Sequence, residues 1–446
     1  MTTPTLRAIC VAVVLGTIMT MLDATIVNVA IDVLGRDLGV PLSTVQWTIT
    51  GYTLALSMTV PVTGWAIGRF GAKAAWITSL VLFGAGSILC GVAWSVGALI
   101  AFRVLQGIGG GLLMPIAQTL LARAAGPERL GRVMAVISIP SMLAPALGPL
   151  LGGVLVDHLS WRWMFYVNVP VCVVALLLAV RLLPGGEERG AGRLDLLGLA
   201  LLSPGLAALV YGLSRLGETA GGTQAVLGLG LGAALVVAFV AHSLRRGTDA
   251  LIDVGLFRDR GLTTSVAALF CYSVGVFGVL LLVPLYSQSV PGTNVLDAGL
   301  LVAPMGVGAI VTMPLAGRLT DRIGARLPGV AGIVTVLVGT LACAGTGPSA
   351  VALFVIGLGH GLVTPSIMAS AYRTLPGVAV PGAATASQIV IRVGSALGAA
   401  VIAVVLQSLS RSYGVAAFSA SFTWTLVIVA VALVPALMIP RHRPVP

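Results

Sequence analysis

The sequence predicts an all-α integral membrane protein of fourteen transmembrane helices, built as two six-helix bundles of like orientation with a further pair inserted between them. Three observations carry this. Of 446 residues, 58% are hydrophobic and only 9% charged, whereas a soluble globular chain carries about 25% charged residues. Apolar runs of about 20 residues, long enough to cross a bilayer as a helix, recur along the whole chain. A short stretch of one interhelical loop, "GWAIGRFGA" (64–72), returns as "GRLTDRIGA" (317–325) in a second loop of matching topology. Such recurrence marks parallel repeats in a transporter.

The predicted spans are 8–30, 45–67, 73–94, 98–122, 131–156, 163–183, 194–215, 223–243, 261–285, 297–317, 328–345, 349–371, 379–407 and 416–439. No small-residue cleavage site follows the first, so it reads as a retained helix rather than a signal peptide. It is apolar in "TIMTMLDATIVNVA" (17–30) except for Asp23 and Asn28. A charge at the centre of a membrane helix costs a few kcal/mol even on the mildest scales, so Asp23 is a functional hypothesis by default. The second span carries Trp47 and Tyr52 and runs into the loop of Gly64, Arg69 and Gly71. The third is plainly apolar. The fourth holds Arg103 and Gln106 ahead of Gly107, Gly109, Gly110 and Gly111, small residues that let neighbouring helices approach. The fifth has a smooth, bendable face of Gly148, Pro149, Gly152 and Gly153. The sixth closes the first bundle, residues 1–183. Residues 184–260 hold the inserted pair and the longest loop, about 244–260. The second bundle, 261–446, opens with a span ending at Tyr286 and Gln288. The tenth span leads into Gly317, Asp321, Arg322 and Gly324, the counterparts of the first loop: Gly64 aligns with Gly317, Arg69 with Arg322, Gly71 with Gly324. The twelfth span contains His360, a group suited to a proton relay or to a satisfied place in the core. The thirteenth contains Arg392, suited to balancing a carboxylate, orienting substrate or lining a wet cavity.

Net charge is +11. With the N-terminus inside, only Arg36, Arg162, Arg215 and Arg411 fall outside and Arg103 and Arg392 within spans; the other nineteen basic residues are cytoplasmic. The positive-inside rule thus places both termini in the cytoplasm and accounts for the charge without a nucleic-acid partner. The five cysteines lie in apolar runs without metal-ligand spacing. The glycines at 107–111 lack the lysine of a phosphate loop, so neither ATP use nor covalent catalysis is indicated.

In order along the chain, "LDATIVNVA" (22–30), "STVQWTITGYTLALSMTVPVTGW" (43–65), "FRVLQGIGGGLLMP" (102–115), "PALGPLLGGVL" (145–155), "WRWMFYVNVPV" (161–171), "VPLYSQ" (283–288), "AGLLVAP" (298–304) and "GRLTDRIG" (317–324) resemble the motifs of the major facilitator superfamily in its fourteen-helix drug:proton antiporter branch. The resemblance implies the major facilitator fold, a monomer in the bacterial cytoplasmic membrane, and no cofactor. It implies efflux of a hydrophobic, cationic or zwitterionic drug in exchange for protons. It implies that Asp23, Arg103 and Arg392 couple protons to substrate. It also implies a cavity drawn from Asn28, Trp47, Tyr52, Gln106, Tyr286, Gln288 and His360, and a fifth-helix glycine face packed on the other half. One position departs from the pattern: Gly68 stands where the first loop of the family has an aspartate, whereas Asp321 is present in the second.

Counted along antiparallel first and fourth spans, Asp23 and Arg103 lie at similar depth, about 10 and 8 Å from the outer ends at a rise of about 1.5 Å per residue. An acid and an arginine at one depth can share a hydrogen-bond network whose opening changes the acid's affinity for a proton. Two alternatives remain at this level: a dedicated exporter of one natural product, and a membrane sensor or scaffold that no longer transports.

Overall fold

A computed structural model describes residues 3–185, 193–216, 222–289, 295–413 and 416–441. The chain is helical throughout, with no strand among the described residues. Helix α1 (Thr3–Ile26) passes through the 3₁₀ turn Val27–Ala30 into α2 (Ile31–Leu38). Helix α3 (Leu42–Thr59) passes through Val60–Val62 into α4 (Thr63–Phe70). Then follow α5 (Ala72–Gly91), α6 (Val96–Ala125), α7 (Leu130–His158), the short α8 (Trp163–Tyr166) and α9 (Asn168–Leu182). The inserted pair is α10 (Leu196–Arg215) and α11 (Gly222–Arg246). The second half comprises α12 (Arg260–Ser289), α13 (Val295–Ile323), α14 (Arg326–Thr346), α15 (Ala350–Arg373), α16 (Val380–Tyr413), α17 (Ala416–Val431) and α18 (Leu433–Met438). Among the described residues, 12 helical segments are long and apolar enough to cross a membrane. The segments 42–70 and 130–158 stand outside that number; the first is threaded with threonines.

The first span differs from its predicted limits. It runs from Leu6 to Leu38 rather than ending at residue 30. Its last turns carry Asp32, Arg36 and Asp37, a polar cluster that reads in sequence as loop. They stay helical because Asp37 accepts from Trp161 Nε1 at 2.7 Å and lies 3.5 Å from Arg162 Nη1, which ties the extension to the α7–α8 turn.

The two halves repeat one scaffold. Helices α6 and α15 share the pattern "GIGGGLLMP" (107–115) and "GLGHGLVTP" (357–365). A Cβ on Gly107 would lie 2.6 Å from Tyr52 O, and one on Gly357 would strike Met305 O. A Cβ on Gly111 would lie 2.5 Å from Leu56 O, and one on Gly361 would strike Ala309 O. A Cβ on Gly109 would lie 2.5 Å from Phe83 N, and one on Gly359 2.7 Å from Val336 N. Tyr52, Leu56 and Phe83 are thus answered by Met305, Ala309 and Val336, at the same offset that separates Gly64 from Gly317. The glycines are packing sites at which backbone meets backbone, and a methyl group has no space there. The loops repeat as well: Gly71 (φ 86) and Gly324 (φ 88) both turn the chain with a positive φ that L side chains rarely adopt.

The halves are joined at the end of the molecule where Arg123, Arg129, Arg132, Arg322 and Arg373 lie. Gly131 N, in the first turn of α7, donates to Asp321 Oδ1 at 2.8 Å, and Arg132 Nε lies 3.2 Å from Asp321 Oδ2. The backbones touch through Gly131 and Gly317. The positive end of the α7 dipole and its free N–H groups favour a carboxylate there. Beside it, Tyr372 Oη donates to Gln118 Oε1 at 3.0 Å and Arg123 Nε to Gly377 O at 3.3 Å. Further along the seam, Ala135 and Met142 of α7 are buried against Ala309 and Met313 of α13. In the first half, a Cβ on Gly64 would lie 3.8 Å from Thr385 Oγ1 and 3.9 Å from Gly382 Cα of α16, while Arg69 and Arg322 are exposed. The fifth-helix glycine face departs from its expectation. A Cβ on Gly148 would strike Thr25 Oγ1 and one on Gly152 would lie 2.9 Å from Ile26 O, so both pack on α1 of their own half. Thr25 Oγ1 also donates to Ala144 O at 3.0 Å, fixing that pairing. Gly153 has nothing within 4 Å, and the side chain of Pro149 lies outside the described residues.

The inserted pair is held by Asp195. This residue caps α10 through Gly198 N (3.0 Å), and accepts from His242 Nε2 (3.0 Å) and from Leu251 N (3.1 Å) of the loop that follows α11. Burial works to raise the Asp195 pKa, but these hydrogen bonds outweigh it and hold the carboxyl below its ordinary range. The loop residues Leu251 and Ile252 then pack with Leu202, Phe239 and Ala386, wedging the pair against α16.

Asp321 is the charged contact in the seam between the halves, and its removal is expected to loosen that end. In a cysteine-free background, Ala135→Cys in the buried seam should react with a soluble maleimide several-fold faster when combined with Asp321→Ala. A charged hydrogen bond contributes about 1.5–3 kcal/mol, enough for that shift. Equal labelling rates would show Asp321 to be a passive turn residue.

Candidate coupling site

Asp23 lies in the middle of its lengthened span and is fully buried, together with Arg103, Gln106, Ser87 and Asn168. Arg103 Nη1 approaches Asp23 Oδ2 at 2.5 Å and donates to Gln106 Oε1 at 2.7 Å. Because the guanidinium only donates, the Gln106 oxygen must face it, which turns Gln106 Nε2 toward Asp23 Oδ1 at 3.0 Å. Asn168 Nδ2 donates to the same Oδ1 at 3.0 Å. Ser87 Oγ accepts from Gln106 (2.9 Å) and Asn168 (3.0 Å) and passes its own proton to Phe165 O at 3.1 Å. Arg103 Nε donates to Thr48 O at 3.2 Å, and the guanidinium carbon lies 4.0 Å from the Tyr52 ring centroid. Helices α1, α3, α5, α6 and α9 thus each contribute to one network. Close packing makes it possible: a Cβ on Gly86, next to Ser87, would lie 2.7 Å from Gln106 Cα.

The chemistry of this cage is one-sided. Among the described residues, every group hydrogen-bonded to the Asp23 carboxylate is a donor: a guanidinium N–H and two amide N–H groups. A protonated Asp23 would bring a hydroxyl donor of its own and find no acceptor among them. The arrangement therefore holds the deprotonated acid, and adding a proton requires the network to open. A buried ion pair whose remaining hydrogen bonds are filled is rigid, whereas the same pair with one member removed is unstable.

The other residues singled out in the sequence lie elsewhere. Tyr52 lines the cage, with Oη 3.5 Å from Thr20 O. Trp47 faces outward and stacks on Tyr211 of α10 (centroids 6.4 Å), at the inserted pair. Asn28 is exposed in the 3₁₀ turn after α1. Tyr286 packs edge-on against Phe418 (5.4 Å) within the second half, and Gln288 is exposed beside it. His360 is buried; its Nδ1 lies 2.8 Å from Tyr272 Oη and its Nε2 3.3 Å from Thr364 Oγ1. Arg392, near the middle of α16, is half-buried and outside the Asp23 cage. Two members of the cage were not singled out in the sequence. Asn168 is a polar amide in the apolar stretch "YVNVPV", a recognisable sign of an interhelical hydrogen bond in lipid. Ser87 gives no signal, since serines are common in such helices.

Two repeated helical bundles with a charge network sealed between membrane-length helices are the architecture of a membrane transporter. The chain belongs to the Major Facilitator Superfamily, whose family model matches residues 13–399 and 266–446. It is 39% identical over 409 residues to the Multidrug resistance protein B homolog of Mycobacterium tuberculosis, covering 88% of this chain and 75% of that one. It is 33% identical over 418 residues to the Tetracenomycin C resistance and export protein of Streptomyces glaucescens, covering 91% and 76%. The Multidrug export protein EmrB of Escherichia coli is 34% identical over 318 residues, covering 71% and 62%. In fold it is similar to the crystal structure of the human organic anion transporter MFSD10, with a TM-score of 0.67 at 17% identity, covering 97% of this chain and 99% of that one.

Asn168 supplies one of the donors to Asp23 Oδ1. Asn168→Leu should lower the melting temperature of the purified protein, in line with about 1–3 kcal/mol for a buried polar group left unsatisfied. Asn168→Leu should lose most of that effect when combined with Ser87→Ala and Asp23→Leu, which remove the acceptors. A full, additive loss in the combined variant would show that Asn168 acts by packing alone.

Proposed function

We propose that this chain exports hydrophobic small molecules across the cytoplasmic membrane in exchange for protons, with Asp23 as the proton-binding group. The observation that carries the reading is the donor-only cage around Asp23. A transporter that couples to protons needs a site whose protonation state is tied to conformation, and a carboxylate that must leave its cage to accept a proton meets that need. Separation from Arg103 in an apolar setting favours the protonated acid, and reunion favours the ionised one. The names of the multidrug and tetracenomycin relatives support a drug-like cargo, and the gradient supplies the energy without a cofactor.

Topology follows the same reading. Counting 42–70 and 130–158 as spans alongside the twelve makes fourteen, two bundles of six with α10 and α11 between them, and places both termini on the arginine-rich side. The positive-inside rule makes that side cytoplasmic. The Asp321 junction is then a cytoplasmic gate, here shut, and it is lopsided because Gly68 supplies no carboxylate from the first half. A protomer of this kind acts as a monomer. A dedicated exporter of one natural product is the second reading, favoured by the tetracenomycin relative.

Cationic cargo, as distinct from zwitterionic, finds little support in the geometry. Asp23 is the acid that would attract a cation, and both its oxygens are taken. The coupling role has a direct test. In proteoliposomes with an imposed pH gradient, Asp23→Asn should abolish gradient-driven efflux by the protein that inserts. Its melting temperature should fall, because the amide removes the counter-charge of Arg103 and sets an N–H donor among donors, so efflux is compared per folded molecule. Full gradient-driven efflux by the Asn variant would remove Asp23 from the mechanism.

A further inference from the structure

We propose that Arg392 binds an anionic group of the transported molecule, so that the cargo is a hydrophobic weak acid or a zwitterion. The proposal rests on the export reading and names the substrate class.

It starts from the charges at mid-membrane. Asp23 is matched by Arg103. Arg392 is the other arginine inside the predicted spans, and no carboxylate among the described residues pairs with it. Its guanidinium makes no hydrogen bond to the described protein, and its Nε is buried without a partner. A guanidinium presents five N–H donors and stays charged. A half-buried guanidinium within a membrane-length helix and without a protein partner is costly unless something outside the fold meets it. In a membrane helix such a group marks a pathway or a ligand site.

The direction of the side chain can be argued from its helix. On α16, Gly394 and Gly398 pack on Phe270 and Val274 of α12. Ile389 and Val393 join the apolar cluster of the inserted pair. Thr385 faces Gly64 of the first half, where an added Cβ would lie 3.8 Å from its Oγ1. Arg392 lies two turns beyond Thr385 on the same stripe, so it too is turned to the first half. Arg392 is therefore turned toward the half that holds Tyr52 and the Asp23 cage. The geometry suits a ligand with an apolar body and one carboxylate, phenolate or sulfonate, which a guanidinium holds by paired N–H···O bonds. Because Arg103 is already committed to Asp23, Arg392 is the arginine left to take that group.

The test uses two probes on one aromatic frame: anilinonaphthalenesulfonate, an anion, and phenylnaphthylamine, which lacks the sulfonate. Binding to the full chain in lipid nanodiscs is measured by equilibrium dialysis, with protein-free nanodiscs subtracted. The wild type should prefer the sulfonate by about tenfold, the effect of one charge-assisted contact. Arg392→Gln should abolish that preference while leaving phenylnaphthylamine affinity within about twofold, which also reports that the site is folded. Arg392→Lys should keep part of the preference, since it retains the charge and loses the fork. Equal affinities in the wild type, or a sulfonate preference that survives in Arg392→Gln, would overturn the proposal. Gradient-driven efflux of phenylnaphthylamine by the wild type reports on the export reading separately, so that reading can stand when the anion site falls, and the reverse.

Discussion

A carboxylate in lipid surrounded by donors alone is the constraint on which this structure turns. Asp23 brings a charge to a depth where water cannot compensate it, and five helices supply the compensation. Arg103 provides the counter-charge, Gln106 and Asn168 fill the second oxygen, and Ser87 ties the two amides to the backbone at Phe165. Each member limits the others. The Gln106 amide can point one way only because Arg103 cannot accept, and Ser87 can serve two amides only because its proton leaves toward a carbonyl. The network is therefore close to all-or-none, which is the property a switch requires.

The scaffold beneath it is repeated, but the chemistry is not. The glycines of α6 and α15 bring equivalent backbones together in both halves, yet Asp23 and Arg103 have no charged equals in the second. There the core carries a neutral-style pair, Tyr272 with His360, at the position where the first half has Gly110. The loops show the converse asymmetry, with Asp321 present and its counterpart replaced by Gly68. The first half thus holds the buried carboxylate cage and the second half holds the carboxylate of the junction between the halves. The seam between Gly131 and Gly317 is where one could act on the other, because α7 packs on α1 through Gly148 and Gly152 and on α13 through Gly131.

Much of this was legible in the sequence. Twelve of the membrane-length helices were, because an apolar run of bilayer length has few other fates, whereas the segments 42–70 and 130–158 fall outside that number. The pairing of Asp23 with Arg103 was legible too, because depth along antiparallel helices can be counted. The full length of the first span was not, since Asp32, Arg36 and Asp37 look like loop until Trp161 and Arg162 are seen to meet Asp37. The role of Asn168 was not, because one amide near a helix start also suits a cap. Trp47 and Tyr286 show the limit of reading one helix at a time. Aromatic residues near helix ends suit a cavity wall, but which face they occupy depends on neighbours remote in sequence, here Tyr211 and Phe418. The glycine face of α7 failed as an expectation for the same reason: smoothness is visible in sequence, and the partner is not.

The central claim is that the cage in this conformation excludes a proton from Asp23. Infrared difference spectroscopy reads it directly, through the carbonyl stretch of a protonated carboxylic acid assigned by its loss in Asp23→Asn. A disulfide between Ala135→Cys and a cysteine placed at Ala309 or Met313 would hold the seam closed, and acid titration would then compare locked with reduced protein. The account predicts that the Asp23 acid band appears in the reduced protein and is absent or displaced to much lower pH in the locked one. An Asp23 band that rises at the same pH in both would contradict it.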